Sequence, residues 1–142
     1  MPNPTPEDIS LTAREWGMSS GERVWVAGHC RGAKRVITAA LMHATRPLRG
    51  PVDAGFLAPL SVDECSYFAG KIRPRVIRGG RIWVVYARTD PPSHGEFDGT
   101  IQELQLALAT LGFCDRVEVG LENHYASVGF RFDPAASTDT AL

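Results

Sequence analysis

Polar and nucleophilic residues gather in short segments of the 142-residue chain, each following an apolar run. The first is Gly28-His29-Cys30-Arg31-Gly32, with Lys34 and Arg35 just beyond it. A glycine-flanked turn that opens a helix presents backbone N–H groups, and the positive end of the helix dipole favours an anion there. Arg31, Lys34 and Arg35 strengthen that preference, so Gly28, Arg31 and Gly32 are candidate ligand-binding positions. A thiol at a helix N-terminus beside His29 and Arg31 also sits where a cysteine becomes reactive, which makes His29 and Cys30 candidate catalytic residues. The same residues equally fit a tight turn with Cys30 as a small buried filler and the basic side chains in water.

A second segment runs Tyr86-Ala87-Arg88-Thr89-Asp90-Pro91-Pro92-Ser93-His94-Gly95-Glu96. Loops of this length in a compact domain are often functional. Tyr86 and Arg88 are candidate ligand contacts, with Arg88 suited to a carboxylate; Asp90 and His94 are candidate acid–base groups. The competing reading is a solvated loop in which Asp90, before Pro91, forms a turn. In Pro59-Leu60-Ser61 and the following Asp63-Glu64-Cys65, Ser61 reads as a helix cap and the two acids suit a first helical turn, so no catalytic role is assigned. His124, beside Tyr125, is a further candidate ligand contact, although the pattern leaves open which end of the sheet it occupies. His29, Cys30, His94 and His124 show none of the spacings of a metal centre, and no metal is expected.

These segments need rigid elements to hold them. Val24-Trp25-Val26-Ala27 is a short apolar run of the kind covered on both faces, and Val36, Ile37, Ala40, Leu41 and Ala44 give the stripe of a helix ending before Pro47. Val52–Leu57 predicts a weaker strand. A helix from the Ser61 cap toward Arg78 is expected to bend at Pro74 and stop at Gly79-Gly80. Arg81-Ile82-Trp83-Val84-Val85-Tyr86-Ala87 is the clearest strand, and Thr100 with Glu103 opens a helix through Ile101, Leu104, Leu108 and Leu111, closed by Gly112. After it the period changes to two: Val117, Val119 and Leu121, then Ala126, Val128, Phe130 and Phe132, predict a hairpin. Strands alternating with helices, then a hairpin, predict an α/β fold: a three-layer, Rossmann-like, mostly parallel sheet with a C-terminal antiparallel hairpin. Ligands of such sheets bind beyond the carboxyl ends of the strands, where the chemical segments lie.

Length allows one domain. The expected division is an N-terminal arm and short helix over 1–20, with Thr5 as cap, an α/β domain over 21–133, and a frayed tail over 134–142. Fifteen basic against sixteen acidic residues give a charge of −1, which argues against nucleic acid as a partner. No apolar run suits a bilayer, and the first eight residues lack the features of a secretory signal. Three widely spaced cysteines, Cys30, Cys65 and Cys114, suit reduced thiols, so a cytoplasmic protein without a membrane partner is expected.

Arg78-Gly79-Gly80-Arg81-Ile82-Trp83-Val84-Val85 resembles the Pro-Gly-Gly-Arg-Leu turn into the fifth strand of class I S-adenosylmethionine-dependent methyltransferases, and the final hairpin is similar to their last two strands. More closely, Arg23–Gly32, Pro51–Ile77, Gly79–Ala87 and Tyr125-Ala126-Ser127-Val128-Gly129 resemble a small bacterial family of unknown function that looks like a cut-down methyltransferase. The likeness covers roughly Gly21 to Phe132 and implies the reduced methyltransferase-like fold. It departs from an active methyltransferase in two ways. The turn Val26-Ala27-Gly28-His29-Cys30-Arg31-Gly32 has neither the acid nor the glycine series that holds the cofactor. Between Gly32 and Val52 there is also no Asp or Glu for a ribose, in a segment too short for two strand–helix units. The expectation is therefore a degenerate cofactor site, no methyl transfer and no cofactor. Such a domain would bind a small-molecule or anionic ligand, a protein partner or a second copy of itself. The alternative is a cofactor-independent acid–base enzyme of small-molecule biosynthesis, catalysing a cyclisation, isomerisation or dehydration.

Overall fold

The computed structural model describes residues 10–87, 97–121 and 124–136. Five strands form one sheet: β1 (Val24–Gly28), β2 (Val52–Ala58), β3 (Val76–Ala87), β4 (Phe113–Gly120) and β5 (Tyr125–Phe132), in spatial order β1-β2-β3-β5-β4. The first three are parallel, with Val24 beside Ala54 and Phe56 beside Trp83. Strand β5 runs antiparallel between β3 and β4, pairing Tyr125 with Ala87 and Phe113 with Phe132. The expected hairpin is present. Its outer strand β4 is mostly exposed and carries a register shift between Cys114 and Val117, where Asp115 adopts φ 57° and pairs with Arg131. A bulge and charged side chains of this kind discourage pairing with another sheet.

Helices cover both faces, as the right-handed parallel connections require. On one face α1 (Leu11–Glu15) and α2 (Arg31–Ala40) enclose a core of Trp16, Val24, Ile37, Phe56, Trp83 and Val85. On the other, α3 (Val62–Ile72) and α4 (Ile101–Ala109) cover Leu57, Ile72, Ile82, Val84, Leu104, Phe113 and Phe130. Helix α2 buries Ala33, Ile37 and Leu41, the 3.6-residue stripe expected from the sequence. Helix α4 starts on the complete capping box of Thr100 and Glu103.

Several boundaries differ from expectation; α2 ends at Ala40 rather than running through Ala44, and α4 at Ala109 rather than Leu111. The expected start of the first helix at Pro6, with Thr5 as its cap, lies outside the described residues; within them α1 begins at Leu11, where the Ser10 hydroxyl accepts a hydrogen bond from the Ala13 N–H at 3.1 Å. The helix from Ser61 does not bend at Pro74 and continue to Arg78. It ends at Ile72, and a single 3₁₀ turn, Arg73–Arg75, leads directly into β3. Proline has no N–H to donate and its ring crowds the carbonyl four residues back, so the ladder stops there. Val76 then pairs with Val52 and is buried in the sheet, while Ile77 faces out. Among the described residues no helix is long and apolar enough to cross a membrane.

Candidate functional site

The carboxyl ends of β1, β2 and β3 meet at Gly28, Ala58 and Ala87. Gly28 has φ 140°, and a Cβ on it would collide with the backbone of Ala58; only glycine lets the two strand ends pass. The chain then bends so that the Cys30 N–H donates to the Ala58 carbonyl at 3.0 Å, and α2 begins at Arg31. Cys30 is the N-cap of α2 but its side chain makes no capping bond, and the first turn contains no acid. Gly32 lies inside that turn, where a Cβ would fall on the hydroxyl oxygen of Tyr125. The tyrosine tip therefore rests against the start of α2, reaching across from the first residue of β5.

The turn on the α3 side is organised by Glu64. The Ser61 hydroxyl accepts from the Glu64 N–H at 3.2 Å, as its sequence spacing predicts. The Glu64 carboxylate does not complete a capping box. Its Oε1 instead accepts from the backbone N–H groups of His29 at 3.2 Å and Leu60 at 3.3 Å, and lies 3.2 Å from the His29 Nδ1. It joins the two loops that leave β1 and β2. The His29 imidazole packs beside Phe68, with ring centres 5.6 Å apart, and most of its side chain (69%) is exposed. Behind Glu64, burial, and to a lesser degree the Glu64 charge, push the Cys65 thiol up to about 12, so it stays protonated.

The other expected site residues divide as follows. Arg31 is exposed on the first turn of α2, while Cys30 is 6% exposed and packs in the α1–α2 core. Tyr86 is buried on the opposite face, with its ring 5.5 Å from Phe97. His124 is exposed in the turn before β5, and the pairing of Tyr125 with Ala87 puts it at the same edge as His29. Arg88, Asp90 and His94 lie outside the described residues; the chain resumes where the Phe97 N–H donates to the Ala87 carbonyl. Among the described residues no group of three His, Cys, Asp or Glu is placed to hold a metal ion. The sequence reading missed Glu64 and Tyr125. For Glu64 the signal was an acid behind a serine cap, which reads as helix chemistry alone; for Tyr125 it was adjacency to His124.

Solved structures share the fold. Magnesium protoporphyrin IX methyltransferase from Synechocystis PCC 6803, with bound SAH, superposes with a TM-score of 0.53 at 10% identity, over 86% of this chain and 79% of that one. A methyltransferase from Pyrococcus furiosus gives 0.54 at 11% identity, covering 90% and 83%. The S-adenosylmethionine-dependent methyltransferase SibL gives 0.51 at 14% identity, over 79% of this chain but 50% of its own length. The fold is methyltransferase-like. No known protein family and no curated protein matches the chain by sequence. Among the described residues β1 is an edge strand of this methyltransferase-like sheet, and at its start Arg23 bridges to Thr45, whose carbonyl accepts from the Val24 N–H. The connection from α2 to β2 adds no further strand or helix.

Proposed function

We propose that the chain is a methyltransferase-like domain that does not transfer methyl groups and that binds a small anionic ligand at the start of α2. The observation that carries this reading is the open first turn of that helix, which has no side-chain cap and no acid, with Arg31 exposed on it and the Tyr125 hydroxyl against Gly32. Free N–H groups, a helix dipole, a guanidinium and a hydroxyl together favour a phosphate or carboxylate. S-adenosylmethionine, which some structural neighbours bind, does not suit the residues present. No Asp or Glu stands between Gly32 and Val52, among the described residues no strand lies outside β1 to carry a ribose-binding acid, and the Glu64 carboxylate at the turn is engaged by His29 and Leu60.

Calorimetry with inorganic phosphate, AMP, phosphoenolpyruvate and S-adenosylhomocysteine tests the proposal. Saturable binding of a phosphate compound is expected, weakened about tenfold or more by Arg31→Ala, the loss of one charge-assisted hydrogen bond. No heat from any phosphate compound, or tight binding of S-adenosylhomocysteine, overturns it.

One observation favours a second reading, a cofactor-independent acid–base enzyme. Glu64 orients the exposed His29 through Nδ1, which leaves the other ring nitrogen free to take a proton from a substrate. In that reading Cys30, Arg88, Asp90 and His94 complete the site. Deuterium uptake from heavy water into a carbonyl metabolite, lost in His29→Gln and slowed in Glu64→Gln, is its signature. A mixture of such metabolites left unlabelled by the wild-type chain counts against it.

A further inference from the structure

A cavity of about 280 Å³ lies at the opposite, amino edge of the sheet, between the end of α1 and the start of β3. Trp16, Met18, Ile77, Gly79, Arg81 and Trp83 form much of its wall. Arg81 and Trp83 are two residues apart on β3 and so share one face. The Trp83 side chain is 2% exposed and firmly held. Its six-membered ring lies over Gly129 of β5, where a Cβ would approach within 2.7 Å, and Trp16 stacks beside it with ring centres 6.1 Å apart.

Two residues that line this cavity each carry a buried donor with no acceptor among the described residues: the Trp83 Nε1–H and the Arg81 Nη1. The neighbouring indole shows the contrast, since Trp16 Nε1 donates to the Ser127 hydroxyl at 3.0 Å. The two carboxylates on the wall are held by other donors. Asp53 takes three hydrogen bonds from Arg23, and Glu22 takes the Ser19 N–H. Buried polar groups are nearly always paired, and what this pair lacks is an acceptor oxygen.

We infer that the cavity is a second binding site, for a small organic monocarboxylate with a planar or unsaturated body. The guanidinium of Arg81 selects a charged oxygen over a neutral one. Trp16, Trp83, Met18 and Ile77 offer a flat apolar wall to the rest of the molecule. Glu22 and Asp53 repel a doubly charged anion more than a singly charged one, which disfavours phosphate against a monocarboxylate here. Both donor nitrogens are covered, and Arg81, the more exposed residue, is the one that turns aside for an oxygen to reach them.

Nitrogen-15 spectra of the full chain resolve one indole signal for each of Trp16, Trp25 and Trp83, assigned with single Trp→Phe variants. Benzoate is the probe, with benzamide, inorganic phosphate and sodium chloride as comparisons. The Trp83 indole proton is expected to move downfield and saturate with benzoate, while Trp25 stays fixed and phosphate acts more weakly. Arg81→Gln should weaken the response about tenfold or more, and Arg81→Lys, which keeps the charge, less. Arg31→Ala at the other edge should leave it unchanged, so this site and the one at α2 fail or survive separately. A Trp83 signal indifferent to benzoate, an equal shift with chloride, or unaltered affinity in a folded Arg81→Gln overturns the inference.

Discussion

Glu64 occupies the first turn of α3, where a negative charge is favoured, yet its side chain turns away from the helix to collect the N–H groups of His29 and Leu60. The buried thiol behind it is held neutral by that position, and reactivity among the cysteines follows from where each one lies. Cys114 is partly exposed on the edge strand, whereas Cys30 and Cys65 are buried. Iodoacetamide on the native chain, read by peptide mass, is therefore expected to label Cys114 first and Cys65 only after unfolding, because reaction needs both access and thiolate. Labelling of Cys30 ahead of Cys114 would instead support the second reading, in which this thiol belongs to the site. At this scale the sequence was half legible. The cluster around His29 and Arg31 could be found from its glycine-flanked turn, but the partner of His29 lies 35 residues away, and no spacing rule connects a serine-capped helix to a histidine in another loop.

The strands were readable where one signal dominated. Continuous apolar runs marked β1 and β3, and alternation marked β4 and β5. Where two signals agreed with more than one structure, the boundary moved. Val76 and Ile77 continue the apolar spacing of α3, but Pro74 stops the helix and the same residues satisfy a strand. The order of the strands, with β5 between β3 and β4, follows from long-range pairing that no local pattern records. The contact between α2 and β5 is equally non-local and gives a test at this level. Gly32→Ala places a methyl group on the Tyr125 hydroxyl, the far end of a flexible side chain that swings aside, while alanine favours the helix, so unfolding stability is expected to fall by no more than about 1 kcal/mol. In a Tyr125→Leu background the same change should instead raise stability in a denaturant titration, because the crowding is gone and the helix gain remains. Simple additivity would show that the tyrosine does not lie on the helix turn.

The two cores lie on opposite faces of one sheet, so the clamps that hold its ends matter. Arg23, leading into β1, reaches Asp53 on β2 with its backbone N–H and two guanidinium nitrogens, at 2.9 to 3.1 Å. These bonds, chiefly from the Arg23 side chain, hold the Asp53 carboxyl below its ordinary range. A carboxylate depressed in the folded state adds stability above its unfolded pKa, and that stability fades as pH falls through the folded value. Unfolding free energy should thus drop from about pH 4 downward, and less steeply in Asp53→Asn, when urea midpoints of both chains are compared. Parallel acid profiles for the two would remove Asp53 from the account. The same argument does not reach Asp115 and Arg131, an exposed pair at the sheet margin.

One bond has a consequence for the order in which the chain comes together. The indole of Trp16 is fastened to Ser127, 111 residues later, and that hydroxyl in turn donates to the Val119 carbonyl. During synthesis the rings that Trp16 packs on, Phe56 and Trp83, leave the ribosome before the closing hairpin, but the acceptor for its indole N–H arrives only with Ser127. A nascent chain stalled before Ser127 therefore holds that tryptophan with its N–H still unpaired by the hydroxyl it meets in the finished fold.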